Sequence, residues 1–308
     1  MRFLITGGAG FLGTALANHL IAAGHQVRVL DDLSAGEPGA LDSHVLFTRG
    51  DVRDIPKLWT LLKGTDCVYH LAARVSVPES VLYPVEYNAV NVGGTVALMT
   101  AVRDAGVKRV ILTASGAAYG HQEQQPVHED AVMHPDSPYA VSKLASEYYL
   151  HSIGTLWQIE TVVLRIFNAY GPRQPLPPSH APVIPRFLKQ VVSGGSVVIH
   201  GQGKQTRDFV YLSDVVNALA TAATADCVNR AIINIGSGQE VSITQLIDQI
   251  EHVTGHEAHR LLRAEEGGGV PRLVADISLA GELLKWKPRV SLEEGLRRML
   301  AEDERFRK

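Results

Sequence analysis

A chain of 308 residues is long enough to bury a sizeable core, in two lobes or in one large elaborated domain. With 45% hydrophobic and 20% charged residues it is too apolar for disorder, and its net charge of −3 offers no basic stripe, which argues against nucleic acid or an anionic membrane surface as a general partner. The two cysteines, Cys67 and Cys227, lie in apolar stretches without metal-ligand spacing, so they read as core thiols in a reducing compartment, with no metal site expected.

Met1 to Ile5 run straight into a glycine loop, and no apolar run approaches the roughly 20 residues of a membrane span, so the cytoplasm is the expected location. Along the chain, Phe3–Thr6, Gln26–Leu30, Val45–Thr48, Cys67–Leu71, Arg109–Thr113 and Thr161–Ile166 are β-branched runs separated by amphipathic stretches, which predicts parallel βαβ units. Runs apolar on both faces belong in a sheet covered on both sides, hence a doubly wound parallel sheet, a Rossmann α/β fold with the site at its carboxyl edge.

The first strand leads into Gly7-Gly8-Ala9-Gly10-Phe11-Leu12-Gly13 and then a helix with Leu12, Leu16, Leu20 and Ala23 on one face. Glycines there permit a tight turn, let backbone N–H groups approach a pyrophosphate and seat the helix close to the sheet, while the helix N-terminus favours negative charge. Gly7, Gly10, Phe11, Leu12 and Gly13 are therefore the expected dinucleotide cradle. The second strand ends in Asp31-Asp32, about 20 residues beyond the glycines, where a carboxylate bonds ribose hydroxyls and repels a 2′-phosphate. Asp31 selects NAD on this reading, with Arg28 nearby as the opposing signal, and Asp32 reads equally well as a turn former.

Ala89–Ala105 and Pro138–His151 read as neighbouring helices on one side of the sheet. After Gly171 the texture turns proline-rich, with Pro172, Pro175, Pro177, Pro178, Pro182 and Pro185, and a second lobe is expected to begin. Helical patterns resume at Ser213–Thr224, Ser242–Thr254 and Ser278–Lys285, with the glycine run Gly267–Gly269 between the last two. The expected division is a cofactor domain over 1–170 with a returning segment near 206–240, and a smaller C-terminal substrate lobe from 171–205 and 241–308.

Tyr139 and Lys143 stand four residues apart at the head of a helix that follows Pro138, so phenol and ammonium share one face. An ammonium near a phenol favours phenolate, which makes Tyr139 a candidate general base for a sugar hydroxyl. Ser115 follows the strand Arg109–Thr113 at the same edge, where its hydroxyl can polarise the same oxygen.

Thr6–Gly13, Gly50-Asp51-Val52-Arg53-Asp54, His70-Leu71-Ala72-Ala73, Tyr139-x-x-x-Lys143, Arg165–Gln174 and Gln205–Val210 together resemble the extended short-chain dehydrogenase/reductases that act on nucleotide sugars, most closely UDP-glucose 4-epimerases and their relatives. The resemblance spans nearly the whole chain. It implies that Asp51 and Val52 contact the adenine and that Leu71, Ala72, Ala73 and Asn91 line the cofactor path. It implies catalysis by Ser115, Tyr139 and Lys143, with Lys143 also bonding the nicotinamide ribose. Ser76, Asn168, Arg207 and Arg272 become the substrate set, with the Arg207 guanidinium on a diphosphate. A homodimer paired through Ala89–Ala105 and Pro138–His151 as a four-helix bundle is also implied.

Relatives that eliminate water or carbon dioxide carry an acidic residue just after the catalytic hydroxyl, whereas here Gly116 and Ala117 follow Ser115. The expected reaction is therefore 4-epimerisation of a UDP-sugar through a 4-ketone; a 4-ketoreductase or dehydratase is the enzymatic alternative, and a non-catalytic NAD-sensing protein the alternative from another class. Two departures concern the substrate. Glu266 and Gly269 stand where epimerases carry an arginine and an acid, with Arg263 or Arg272 as substitutes, and Leu273 replaces an aromatic beside the sugar, which suggests a roomier pocket.

Overall fold

Strands without a polar face need a helical layer on each side, and the chain provides both. The computed structural model describes residues 1–264 and 269–307. The elements of the cofactor half are β1 (Arg2–Thr6), α1 (Phe11–Ala22), β2 (Gln26–Asp31), β3 (Leu46–Arg49), α2 (Ile55–Leu62), β4 (Cys67–His70), α3 (Val77–Leu82), α4 (Pro84–Tyr87), α5 (Gly94–Ala105), β5 (Arg109–Ser115), α6 (Pro138–Trp157) and β6 (Glu160–Ile166). There follow β7 (Asn168–Tyr170), α7 (Val183–Val192), β8 (Ser196–His200), β9 (Thr206–Arg207), β10 (Phe209–Tyr211), α8 (Leu212–Ala222), β11 (Ile232–Ile235), β12 (Val241–Ser242), α9 (Ile243–Thr254), β13 (His259–Arg263), α10 (Ser278–Leu284) and α11 (Leu292–Glu302).

Seven strands form one parallel sheet in the order β3-β2-β1-β4-β5-β6-β11, so the doubly wound fold expected from the sequence is present. The order reverses between β1 and β4. Thr6 pairs with His70 in that register, and His70 with Leu112 on β5, so the ends of β1, β4 and β5 form one ledge. One face of the sheet buries Leu16 and Leu20 of α1, Val215 and Leu219 of α8 and Leu284 of α10. The other buries Leu58 and Leu62 of α2, Leu98 and Val102 of α5 and Leu150 of α6.

A third cluster, built from Phe187 and Leu188 of α7, Leu246 and Ile250 of α9 and Leu296 and Met299 of α11, packs beside the short sheets β7–β10 and β8–β13. Asp208 ties it to the main sheet. Its buried carboxylate accepts from the Ser237 N–H (2.6 Å) and hydroxyl (2.6 Å), the Gly238 N–H (2.9 Å) and the Ala275 N–H (3.1 Å), so a charge in the interior is matched by four donors.

The helix expected over 89–105 is regular only from Gly94. Asn88–Gly93 is a wide π-helical turn. The Asn91 carbonyl there accepts from the Thr95 hydroxyl (2.6 Å) and the Ser146 hydroxyl (3.0 Å), and these side chains compete with main-chain N–H groups for it. The thiols also part company: Cys67 is buried, with its pKa pushed up to about 12 by burial, but Cys227 is exposed at φ 59° and is not a core thiol. Its residue closes a left-handed turn after α8, where an apolar flank did not mean burial. No described helix is long and apolar enough to cross a membrane.

Candidate active site

Gly7 ends β1 at φ +70°, and a Cβ there would lie 2.6 Å from the Ala72 nitrogen, so only glycine lets the first loop meet the end of β4 this closely. A Cβ on Gly13 would strike the Gly7 carbonyl and come within 2.5 Å of the Gly8 Cα. Helix α1 then starts at Gly10 without a side-chain cap or an acidic first turn. Thr14 N–H bonds the Gly10 carbonyl at 2.9 Å, and the N–H groups of Phe11, Leu12 and Gly13 have no main-chain acceptor among the described residues. Three free donors at a helix N-terminus behind a glycine cradle fit a pyrophosphate.

Asp31 is 8% exposed. Its Oδ2 accepts from Ala9 N–H (3.0 Å) and its Oδ1 from Leu33 N–H (2.9 Å), so it braces the glycine loop and retains lone pairs for ribose hydroxyls. Burial raises its pKa above the ordinary carboxylate value, and those N–H bonds oppose the rise. Asp32 is exposed and accepts from Ser34 N–H at 2.8 Å, which is the turn-forming role. Arg28 points elsewhere, its Nη1 donating to the carbonyls of Leu61 (2.7 Å) and Lys63 (2.8 Å). The one cation close in sequence that could welcome a 2′-phosphate is thus committed to the end of α2.

Asp51 is held by Arg53 through Nε (2.9 Å) and Nη2, while Val52 is buried against Gly94, where a Cβ would meet it at 2.6 Å. Ala72 N–H donates to the Thr6 hydroxyl at 3.4 Å, Leu71 N–H bonds the Thr6 carbonyl at 3.0 Å, and Ala73 follows half-buried on the same ledge. Asn91 is buried and spent within the protein. Its Nδ2 donates to Arg74 O (3.0 Å) and Ser142 Oγ (2.9 Å), and its Oδ1 accepts from Arg74 N–H (2.8 Å). It acts on the site by holding those two segments.

Ser137 caps α6 through the Ala140 N–H at 3.2 Å, and Pro138 occupies the first turn, which fixes Tyr139 at the head of the helix facing the ledge. Lys143, 5% exposed, lies one turn on and donates from Nζ to the Thr113 carbonyl at 2.8 Å. Burial lowers its pKa to about 8, with Glu147 opposing. Ser115 ends β5; its Oγ accepts from Ala117 N–H at 3.2 Å, which leaves its own proton to give.

The phenol of Tyr139 departs from the expectation in one respect. In the protein alone its pKa is raised, first by burial and then by Tyr87, and the group that opposes this is the Ser115 hydroxyl, not Lys143. The ammonium is turned to the Thr113 carbonyl.

Asn168 donates from Nδ2 to the Asp208 carbonyl at 3.0 Å. Arg207 is half-buried, donates from Nη1 to the Thr206 carbonyl at 2.7 Å and makes no ion pair among the described residues, since the carboxylate of the adjacent Asp208 is filled by Ser237, Gly238 and Ala275. Burial lowers its pKa and Asp136 opposes. A desolvated guanidinium without a counter-ion is an anion receptor. Ser76 caps α3 by accepting from Glu79 N–H at 3.3 Å.

Arg272 does not stand free for a phosphate. It is exposed and its fork is closed on Glu240, through Nε at 2.7 Å and Nη2 at 2.8 Å. Arg263 is exposed at the end of β13, and Glu266 lies outside the described residues. Leu273 is buried with Tyr119, Val127, Phe167 and Ala275, so this side chain fills a core cluster.

Two buried groups at the site are given no role by the motifs, although His70 stands in one of them. His70 lies between the hydroxyls of Thr6 (Nδ1, 2.8 Å) and Thr95 (Nε2, 3.0 Å). Thr95 spends its proton on Asn91 O, so Nε2 carries the ring hydrogen and Nδ1 accepts from Thr6; burial and then Lys143 push the pKa to about 3, and the ring stays neutral. Glu147 is the other, clasped by Arg165 through Nε (3.1 Å) and Nη2 (2.7 Å). A histidine closing an apolar strand and an acid one turn beyond Lys143 were the signals available.

The Asp31 geometry sets a measurable expectation. Asp31→Ser removes a ribose acceptor and the repulsion of a 2′-phosphate, so cofactor-stripped protein should bind NAD more weakly and lose most of its preference over NADP in calorimetric titration. Equal affinity of the unaltered protein for the two cofactors would contradict the assignment.

Comparison with known proteins agrees with this geometry. Residues 3–236 match the model of the NAD dependent epimerase/dehydratase family. The chain is 36% identical over 299 residues to the putative UDP-glucose 4-epimerase of Methanocaldococcus jannaschii, covering 96% of each. It superposes on the UDP-glucose 4-epimerase of Thermotoga maritima solved with UDP-glucose at a TM-score of 0.93, with 34% identity and 98% of each chain covered. It also superposes on the UDP-N-acetylglucosamine 4-epimerase of Methanobrevibacter ruminantium, solved with UDP-N-acetylmuramic acid, at 0.92, with 34% identity and 97% of each chain covered. Matched in sequence and fold over nearly its full length, the chain belongs to the NAD dependent epimerase/dehydratase family.

Proposed function

We propose that the protein is an NAD-dependent 4-epimerase of a UDP-sugar of the UDP-glucose/UDP-galactose type. The observation that carries this reading is a buried Tyr139 with the Ser115 hydroxyl near enough to oppose the rise of its pKa, followed by Gly116 and Ala117 where an eliminating enzyme needs an acid. Gly7, Gly10, Gly13 and the N–H groups of Phe11 and Leu12 hold the cofactor pyrophosphate, Asp31 its ribose, and Asp51 and Val52 its adenine. Lys143 serves the second ribose. When bound, NAD supplies the acceptor for the hydrogen carried by C4 and returns it within the same turnover.

Arg207 and Asn168 anchor the substrate diphosphate, and the sugar is left to turn about that anchor. Tyr139 takes the proton of the C4 hydroxyl while Ser115 donates a hydrogen bond to the same oxygen and keeps its proton, which steadies the charge as the C–O bond becomes a ketone. Once the 4-ketosugar has presented its other face, Tyr139 gives the proton back. One general base serves both halves of the cycle, so no further acid is required.

We further propose a cytoplasmic homodimer. The outer face of α6 exposes Val141, Tyr148 and Tyr149, and Val81, Leu82, Tyr83 and Val85 stand exposed on and between the adjoining α3 and α4, an apolar surface of the kind that a second copy covers. Light scattering at micromolar concentration should give twice the chain mass; a monomer mass would refute the pairing.

Tyr139→Phe keeps the ring and loses the base. It should fold and retain NAD, while turnover of UDP-glucose, followed by chromatography of the products, falls about 10²–10⁴-fold with little change in substrate affinity. Near-normal turnover by this variant would overturn the mechanism.

A further inference from the structure

Lys143 is a buried ammonium whose one hydrogen-bond acceptor among the described residues is a neutral carbonyl, Thr113 O. A charge in that position needs an anion nearby or it sheds its proton. One turn further along α6, on the same face, stands Glu147, 1% exposed. We propose that Glu147 is a positioning residue for catalysis: held by the Arg165 fork, its carboxylate keeps Lys143 in the ammonium form that serves the cofactor ribose. This rests on the catalytic assignment of Lys143 made above.

The arrangement is fixed on every side. Arg165, from β6, binds both Glu147 oxygens, and its Nη1 donates to the Tyr119 hydroxyl (2.9 Å) and the Glu129 carbonyl (3.2 Å). Tyr119 in turn donates to Asn234 Oδ1 at 2.7 Å, so the fork is anchored to β11 at the sheet edge. Glu147 cannot swing out to solvent without breaking this set, and an exposed acid at the same spacing would be screened by water.

The groups around Lys143 leave Glu147 as the electrostatic support. On its own helix stand Tyr139, a neutral phenol in the free protein, and Glu147. From β4 comes His70, held neutral between two threonine hydroxyls. From β5 come the Thr113 carbonyl and the Ser115 hydroxyl, neither of which is charged. Arg165, a cation from β6, is neutralised by Glu147 itself. The influence is mutual, because burial raises the Glu147 pKa while Arg165 and Lys143 draw it back down.

The sign of the effect follows. With Glu147 ionised, Lys143 loses its proton near pH 8; without that carboxylate the ammonium is less favoured and the loss moves to lower pH. The direct readout is the ¹³C shift of the Lys143 ε-carbon in protein carrying ε-¹³C lysine, assigned by its absence in Lys143→Arg and titrated without any substrate. Glu147→Gln should move the midpoint down by roughly one pH unit or more, and Glu147→Asp, which keeps the charge, should hold it near the parent value. Should Glu147→Gln fail to fold because Arg165 is left unpaired, the double variant Glu147→Gln/Arg165→Met removes both charges and should still lower the midpoint. An unmoved midpoint in the folded Gln variant, or in the double variant, overturns the proposal, as does a shift in Glu147→Asp equal to that in Glu147→Gln. The titration needs no epimerisation, so it fails or succeeds independently of the assigned reaction.

Discussion

The site depends on the join between β1 and β4, where the winding of the sheet reverses and two strand ends lie side by side. A crevice opens at such a reversal because the helices on either side lead away from each other. Here the crevice floor is stapled by one run of hydrogen bonds, from Ala72 N–H to the Thr6 hydroxyl, to His70, to the Thr95 hydroxyl and to the Asn91 carbonyl. Each donor in that run has one acceptor that fits, so the direction of every proton is determined. The π-helical turn and the grip of Asn91 on Ser142 then carry the alignment from the glycine loop to α6, which bears Tyr139 and Lys143.

Charge is distributed on the same logic. At the cofactor end, anion binding is assigned to uncharged donors, the free N–H groups of α1, with Asp31 bracing the loop through backbone bonds. At the other end Arg207 makes no ion pair among the described residues, the adjacent Asp208 being saturated by four other donors, and only Asp136 opposes the fall in its pKa. Between them buried ionisable groups of α6 and β6 meet: Arg165 of β6 neutralises Glu147, which stands one helical turn from Lys143. The phenol of Tyr139 is raised by burial in the protein alone, with the Ser115 hydroxyl opposing.

Much of this was legible in the sequence, for identifiable reasons. Strand β5 and strand β6 are apolar on both faces, and that alone requires a covered parallel sheet. The ends of α9 were readable because Ser242 and Gln245 form a capping box and Gly255 closes the helix, chemistry confined to a few adjacent residues. The glycine cradle carried its own backbone signal at Gly7. What stayed hidden was set by long-range partners. Nothing near Leu273 in sequence says that Tyr119 and Phe167 cover it, nothing near Arg272 points to Glu240, and Cys227 comes after the apolar face of α8 yet faces solvent. The short strands β7 to β10 and β11 also lack a pattern of their own, since each is completed by a partner far along the chain. The Lys143 to Tyr139 spacing was read correctly as one helical face, but where the ammonium pointed was decided by the carbonyl of Thr113 on another element.

The central claim is that C4 is oxidised and reduced on one cofactor without loss of its hydrogen. UDP-glucose carrying deuterium at C4, incubated with the purified protein without added NAD, tests this by mass spectrometry and proton NMR of the separated products. The account predicts UDP-galactose with deuterium still at C4 and no hydrogen taken from solvent at that carbon. Loss of the label to water, or accumulation of a ketosugar or a dehydrated sugar, would contradict it.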